Sequence, residues 1–391
     1  MKKIKNKFLP YNRQSVDSDD IKAVTKVLQS NWLTSGPQIK KFEKNLSNIV
    51  NAKYCVSCSS GSAALHLAIL SLNLKKDDYV IVPSITFVST ANSVVHSGAN
   101  VIFADVNKNN GLMELNNFEQ ALSFGKKRIK AIMPVHLSGQ CVDNEKIYRK
   151  AKKLGITVIE DGAHAIGTTY KNKKRPITVG SCKHSSMACF SFHPIKTITT
   201  GEGGAITTNN KKVKDRLMNL RNHGILRNKK SNPWHYEINE IGYNYRMTDF
   251  QAALGSSQIK KIKTFIKKRS ELAEYYHRSL SALSYFLEPI VQVPECSSSW
   301  HLYPILINFE KIGINKIKLM QEMKQKGVMT QIHYIPLYRH NVFKKKYGGI
   351  CLPGAESYYE KSLSLPLFPN MLKNDVKYVV QTLTSIINKY I

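Results

Sequence analysis

The chain has 391 residues, 42% hydrophobic and 22% charged, a balance that excludes a disordered or fibrous protein. One core stops growing at ~250–300 residues, so a large domain with a smaller companion is expected. The formal charge of +31 invites anionic partners, but lysine runs such as KKIKTFIKKR lack the interleaved aromatics of a nucleic-acid platform, which leaves phosphorylated small molecules.

In chain order, the opening MKKIKNKFLPYNRQ is basic without an apolar segment behind it. No run reaches the ~18 apolar residues of a membrane span, so a cytoplasmic protein without a membrane partner is expected. Seven cysteines, odd in number and without a metal spacing, fit a reducing compartment. The Cys55 and Cys58 pair lies in an apparent buried strand, where packing is expected. Between residues 50 and 210 short β-rich runs alternate with helical stretches, the pattern of a doubly wound α/β sheet. The candidate strands are KYCVSCS (53–59), YVIVPS (79–84), VIFADV (101–106), AIMPVHL (131–137), TVIED (157–161), ACFSF (188–192) and GAITT (204–208). After Thr248 the apolar residues Ile259, Ile262, Ile266, Leu272 and Tyr276 fall near helical spacing among lysines. This predicts a long helix leading out of a large domain, 1–265, into a smaller α+β domain, 266–391. There SWHLYPILINF and GVMTQIHYIPLY read as strands, with KIKLMQEMKQKG and DVKYVVQTLTSIINKY as helices.

Ligands of such sheets bind beyond the carboxyl ends of the strands, and four strand ends carry residues that suit pyridoxal phosphate. SSGSAALHLAIL passes into a helix through Gly61 and Ser62, which makes an anion site or an ordinary cap. Phe87 offers an aromatic face that could cover a planar heterocycle or join the core. TVIEDGAHAIG closes an apolar run on Glu160 and Asp161, with His164 after them. A buried carboxylate needs a partner, and a protonated pyridine nitrogen is one. Lys196 follows FSFHPI and precedes glycines 201, 203 and 204, which allow a tight turn back into a strand. Apolar neighbours lower a lysine's pKa and free its amine to attack an aldehyde. Ser191 could give a further hydroxyl to a phosphate.

These stretches, with LRNHG and GYNYRMTDFQAALG, make the chain similar to the nucleotide-sugar aminotransferases of the DegT/DnrJ/EryC1/StrS family from about Pro10 to the end. The resemblance implies the fold type I architecture of pyridoxal-phosphate enzymes, with a large mixed-sheet domain. It implies that Lys196 carries the cofactor and shuttles protons and that Asp161 pairs with the pyridine nitrogen. Phe87 would stack on the ring, with His164 at its phenolic edge. Gly61, Ser62, Ser191 and Asn244 would hold the phosphate, Asn244 reaching in from the other subunit of a homodimer.

LPYNRQSVDSDDIKAVTKVLQSNWLTSGP, the form HPIK, and SSWHLYPI with QIHYIPLY are similar to the pseudaminic-acid branch. That branch aminates C4 of UDP-2-acetamido-2,6-dideoxy-β-L-arabino-hexos-4-ulose with L-glutamate. By this similarity Tyr11, Asn31, Trp32, Leu33, Thr34, His301 and Tyr303 line the sugar pocket, with His333 and Tyr334. Asn12 and Ser35 depart from the branch, where glycine and glutamine are usual. Arg221 or His223 could receive a substrate carboxylate or phosphate. Three other readings stand beside this one. They are an aminotransferase for another 4-keto sugar (legionaminic acid, bacillosamine or perosamine type), a histidine-dependent C3 dehydratase, with His193 near Lys196, and a non-catalytic regulator.

Overall fold

The computed structural model describes residues 8–124, 128–171, 176–227 and 232–391; the basic opening run, residues 1–7, lies outside them. Seven strands form one mixed sheet: β1 (Tyr54–Cys58), β2 (Asp78–Pro83), β3 (Asn100–Ala104), β4 (Arg128–Ile132), β5 (Thr157–Asp161), β6 (Met187–Ser191) and β7 (Gly204–Thr208). Their spatial order is β1-β7-β6-β5-β4-β2-β3, and all neighbours run parallel except β7, which is antiparallel to β1 and β6. All seven overlap runs expected from the sequence, because a strand covered on both faces is a nearly continuous apolar run.

Helices α1 (Ser18–Leu28), α2 (Pro37–Val50), α3 (Gly61–Leu70) and α4 (Val88–His96) belong to the first part of the chain. Strand β1 shows how the faces divide: Val56 and Cys58 pack in the core that contains α3, and Cys55 in the core that contains Phe42 and Leu46 of α2. The two cysteines therefore face opposite sides of the sheet, and burial raises both thiols. They pack and do not pair.

Helix α5 (Asp249–Leu280) is a single element. Ala252, Ile259, Ile262 and Phe265 lie in the α2 core, while Leu272, Tyr276 and Leu280 lie in a second, separate core. Its start is fixed by a capping box in which Gln251 N–H donates to Thr248 and Thr248 N–H donates to the Gln251 side chain. Lys261 and Gln258 clamp the buried Asp20 of α1 to it at 2.6 and 2.7 Å. The second core covers an antiparallel sheet ordered β8 (Leu287–Pro289), β9 (Tyr303–Ile307), β10 (Ser362–Leu365), with α6 (Lys316–Gln325) and α7 (Lys373–Ile387). No helix among the described residues is long and apolar enough to cross a membrane.

Two expectations are corrected here. GVMTQIHYIPLY is not a strand: it touches Leu9 at Val328 and Ser364 at Gln331 by isolated bridges only. Pro336 removes a donor that a ladder would need, and Gln331 to Tyr334 line a cavity instead. The third strand of this sheet is Ser362–Leu365, whose short hydroxyl residues give little β signal. Tyr303 is fully buried in β9, stacked on Tyr276 at 4.6 Å, because the alternation of the strand turns it into the core that holds Leu272 and Leu280.

Gly255 lies inside α5, where alanine normally gains about 1 kcal/mol. Here a Cβ would stand 2.5 Å from the buried Phe42 ring and 2.8 Å from Thr200 Cγ2. Gly255→Ala is therefore expected to destabilise by about 1–3 kcal/mol, read as a lower urea midpoint.

Candidate active site

A cavity of about 730 Å³ opens at the carboxyl ends of the central strands and is lined on one side by residues 331–334. Strand β5 ends in two carboxylates that point apart. Glu160 turns away from the cavity, accepting from Ser185 and lying 3.0 Å from His136 Nε2. Asp161 faces the cavity; it accepts from the Thr90 hydroxyl at 2.8 Å and the Ala163 amide at 3.1 Å. Thr90 in turn lies 2.8 Å from the Thr86 hydroxyl. Burial raises the Asp161 pKa, opposed by the Thr90 hydrogen bond, so the carboxylate is set up for a cationic partner.

Lys196 stands across from it in the turn between β6 and β7. Its amide donates to His193 O at 2.9 Å, Phe192 N–H donates to Gly203 O at 2.8 Å, and Gly201 takes a φ of 82°. Burial pushes the Lys196 amine down to about 8, with Asp161 pulling the other way.

The third corner is the start of α3. Ser60 is the cap, accepting from Ala63 N–H at 3.1 Å. The amides of Gly61 and Ser62 then have no acceptor within the helix. A Cβ on Gly61 would stand 2.6 Å from Ser191 Cβ, so only glycine lets the helix start approach the end of β6. Ser62 Oγ lies 2.6 Å from Ser89 Oγ. Free amides, the helix dipole and the Ser62, Ser89 and Ser191 hydroxyls make an anion cradle.

Phe87, 56% exposed, extends over the cavity with its ring 6.0 Å from that of Tyr334. His164 Nδ1 accepts from the Ser138 amide at 3.4 Å, so its Nε2 carries the hydrogen and donates to the Tyr334 hydroxyl at 3.2 Å. His301 lies behind it, with ring centroids 4.3 Å apart. Burial and Lys196 push His164 and His301 well down, and His333 to about 3, so all three are neutral.

Ten expected residues therefore share one cavity wall: Gly61, Ser62, Phe87, Asp161, His164, Ser191, Lys196, Tyr11, His333 and Tyr334. His301 sits one layer back. Asn31, Trp32, Leu33, Thr34 and Asn244 are exposed and line no part of this chain's cavity. Arg221 is already engaged, donating to Glu43 at 2.7 Å and to Ser57 O at 2.6 Å, and His223 is exposed. Sequence reasoning missed Ser89 and Thr90. Their signal is the hydroxyl pair in FVSTAN, placed where a helix begins beyond a strand.

A model of the DegT/DnrJ/EryC1/StrS aminotransferase family matches residues 14–384. The chain belongs to this family. Aminotransferases of the DegT family depend on pyridoxal phosphate. Among its relatives is a Campylobacter jejuni protein named UDP-4-amino-4,6-dideoxy-N-acetyl-β-L-altrosamine transaminase, 37% identical over 98% of each chain. The Bacillus subtilis spore coat polysaccharide biosynthesis protein SpsC is 34% identical over 98% of each. Helicobacter pylori PseC, an aminotransferase involved in the biosynthesis of pseudoaminic acid, superposes with a TM-score of 0.89 at 29% identity, over 98% of this chain and all of that one. A Streptococcus pneumoniae protein described as a sugar aminotransferase, solved with PLP, gives 0.86 at 26% identity over 98% and 100%.

The residues fit the family's cofactor. The cradle lies at the start of α3, the Asp161 carboxylate at the end of β5, and the depressed amine of Lys196 faces the same cavity.

Reaction of the apoprotein with pyridoxal phosphate, followed by absorbance, is expected to rise with pH through a midpoint near 8, because only the neutral amine attacks and Lys196 loses its proton there. Asp161→Asn removes the one influence holding that pKa up, so its midpoint is expected below 8.

Proposed function

We propose that the chain is an aminotransferase that moves the amino group of L-glutamate to C4 of UDP-2-acetamido-2,6-dideoxy-β-L-arabino-hexos-4-ulose. The observation that carries the reading is the convergence of Lys196, Asp161 and the α3 cradle on one cavity in a chain 37% identical to a nucleotide-sugar transaminase. Lys196 and Asp161 are the catalytic residues. Gly61, Ser62 and Ser191 hold the phosphate, Phe87 covers the ring, and His164 stands at its edge.

When bound, pyridoxal phosphate supplies an electron sink for the pair left as a proton departs from the carbon bearing nitrogen. Asp161 keeps the ring nitrogen protonated, which its burial against Thr90 prepares it to do. Lys196 takes the proton from the α-carbon of glutamate and, in the second half-reaction, delivers a proton to C4 of the sugar. Its pKa of about 8 lets one amine act as base and acid near neutral pH. Phe87 would cover the ring, and the Tyr334 ring 6.0 Å from that of Phe87 narrows the access of water to the cavity.

The enzyme acts in the cytoplasm as a homodimer. Asn244 and the segment Asn31–Thr34 reach the partner's cavity, which agrees with their exposure in a single chain. The apolar Ile238 and Ile241, 56% and 86% exposed on the segment before Asn244, are surface that a second copy would cover. A second reading, an aminotransferase for a different 4-keto nucleotide sugar, is favoured by the differently named Bacillus subtilis relative and by Asn12 and Ser35 beside the sugar pocket.

The test is a panel of UDP-, GDP- and dTDP-linked 4-keto sugars with L-glutamate, products resolved by mass and NMR. The L-arabino UDP sugar is expected to turn over fastest, and Lys196→Ala to abolish turnover. Faster use of a D-configured 4-keto sugar would replace the substrate, and transamination by Lys196→Ala would sink the mechanism.

A further inference from the structure

Arg269 of α5 is fully buried, and its guanidinium pairs with no carboxylate among the described residues. Such a cation is costly to bury. Four oxygens offset that cost: Nη1 donates to Trp300 O, His301 O and Leu367 O at 3.2, 3.1 and 2.8 Å, and Nη2 to Asn12 Oδ1 at 3.2 Å. Asn12, itself 6% exposed, returns a bond from Nδ2 to His301 O at 3.3 Å. An apolar side chain would fill this space without an ion to desolvate, so the forked geometry is the useful property.

The fork joins three distant segments, and two of them adjoin the cavity wall. Tyr11 follows Asn12 backwards along the chain, lines the cavity and sits 5.7 Å from the His333 ring. Its carbonyl accepts from Leu367 N–H at 3.0 Å. His301 backs His164. Glutamate is short enough to be held beside Lys196, whereas a nucleotide sugar is much longer and, on the proposed function, reaches the part of the cavity wall that Tyr11 lines.

We propose that Asn12 and Arg269 are positioning residues that fix the Tyr11 wall and thereby set affinity for the nucleotide sugar without touching it. The assignment rests on the proposed substrate class. It gives Asn12, one of the two departures from the pseudaminic-type pattern, a specific task in this chain.

The test uses the holoenzyme. Asn12→Gly is expected to raise KM for the 4-keto UDP sugar about tenfold with kcat within about twofold, and to weaken UDP binding in calorimetry to match. The rate at which L-glutamate bleaches the cofactor absorbance stays at the wild-type value. Arg269→Lys, which keeps the charge and loses the fork, is expected to show the same split, and Asn12→Asp, which keeps the acceptor, to recover most of the affinity. Wild-type KM and UDP affinity in Asn12→Gly overturn the assignment, as does equal slowing of both half-reactions, the mark of a merely structural role. A wild-type enzyme that neither turns over a 4-keto nucleotide sugar nor binds UDP overturns the substrate reading and this assignment together.

Discussion

Desolvation of the Lys196 amine, opposed by the Asp161 carboxylate, is the interaction around which the rest of the site is built. Neither group would be useful alone. A lysine in water stays protonated at neutral pH, and a carboxylate buried without a partner takes up a proton. Placed at the ends of neighbouring parts of one sheet, each limits the shift of the other, and both stay available near neutrality. The strand order makes this possible: β6 lies between β5, which ends in Asp161, and β7, which begins just after the Lys196 turn.

The surrounding fold keeps that pair dry and in register. Helix α5 contributes Ile259, Ile262 and Phe265 to the core around Phe42 and Leu272 and Tyr276 to the core around β9, so one element ties the two together. The close approach of Gly61 to Ser191 brings helix amides to the rim of the same cavity without any basic side chain. Anion binding there can fall to backbone and hydroxyls, and Lys196 is the one lysine or arginine lining the cavity among the described residues.

Much of this was legible in the sequence because its signals are local. The strands of the large sheet are short apolar runs, and Asp161, Ser62, Phe87 and Lys196 stand at their ends. What stayed hidden depends on distant parts of the chain. Ser362–Leu365 is a strand because β9 pairs with it, not because its residues favour one. Residues 327–338 have the alternation of a strand but pair at isolated points, and so their side chains serve the cavity. Tyr303 and His301 are two residues apart, yet one belongs to the core around β9 and the other backs the cavity. No spacing rule distinguishes them. Glu160 and Asp161 could be told apart only once the face of β5 was known.

The charge of the chain also takes a different meaning from its geometry. The excess of +31 points to phosphorylated small molecules as partners, yet the cavity wall itself presents few cations. His164, His301 and His333 are kept neutral by burial and by Lys196 itself. A second fixed positive charge close to Lys196 would lower its pKa further, and would also compete with the ring for Asp161. The neutral histidines avoid both effects while still offering hydrogen bonds. Arg269, fully buried, is spent on carbonyl oxygens behind the Tyr11 wall, where it organises backbone instead of meeting the ligand. The basic residues at the surface can then draw an anionic substrate in from solution, while selection inside the cavity is left to shape and to hydrogen bonds whose donors are fixed in advance.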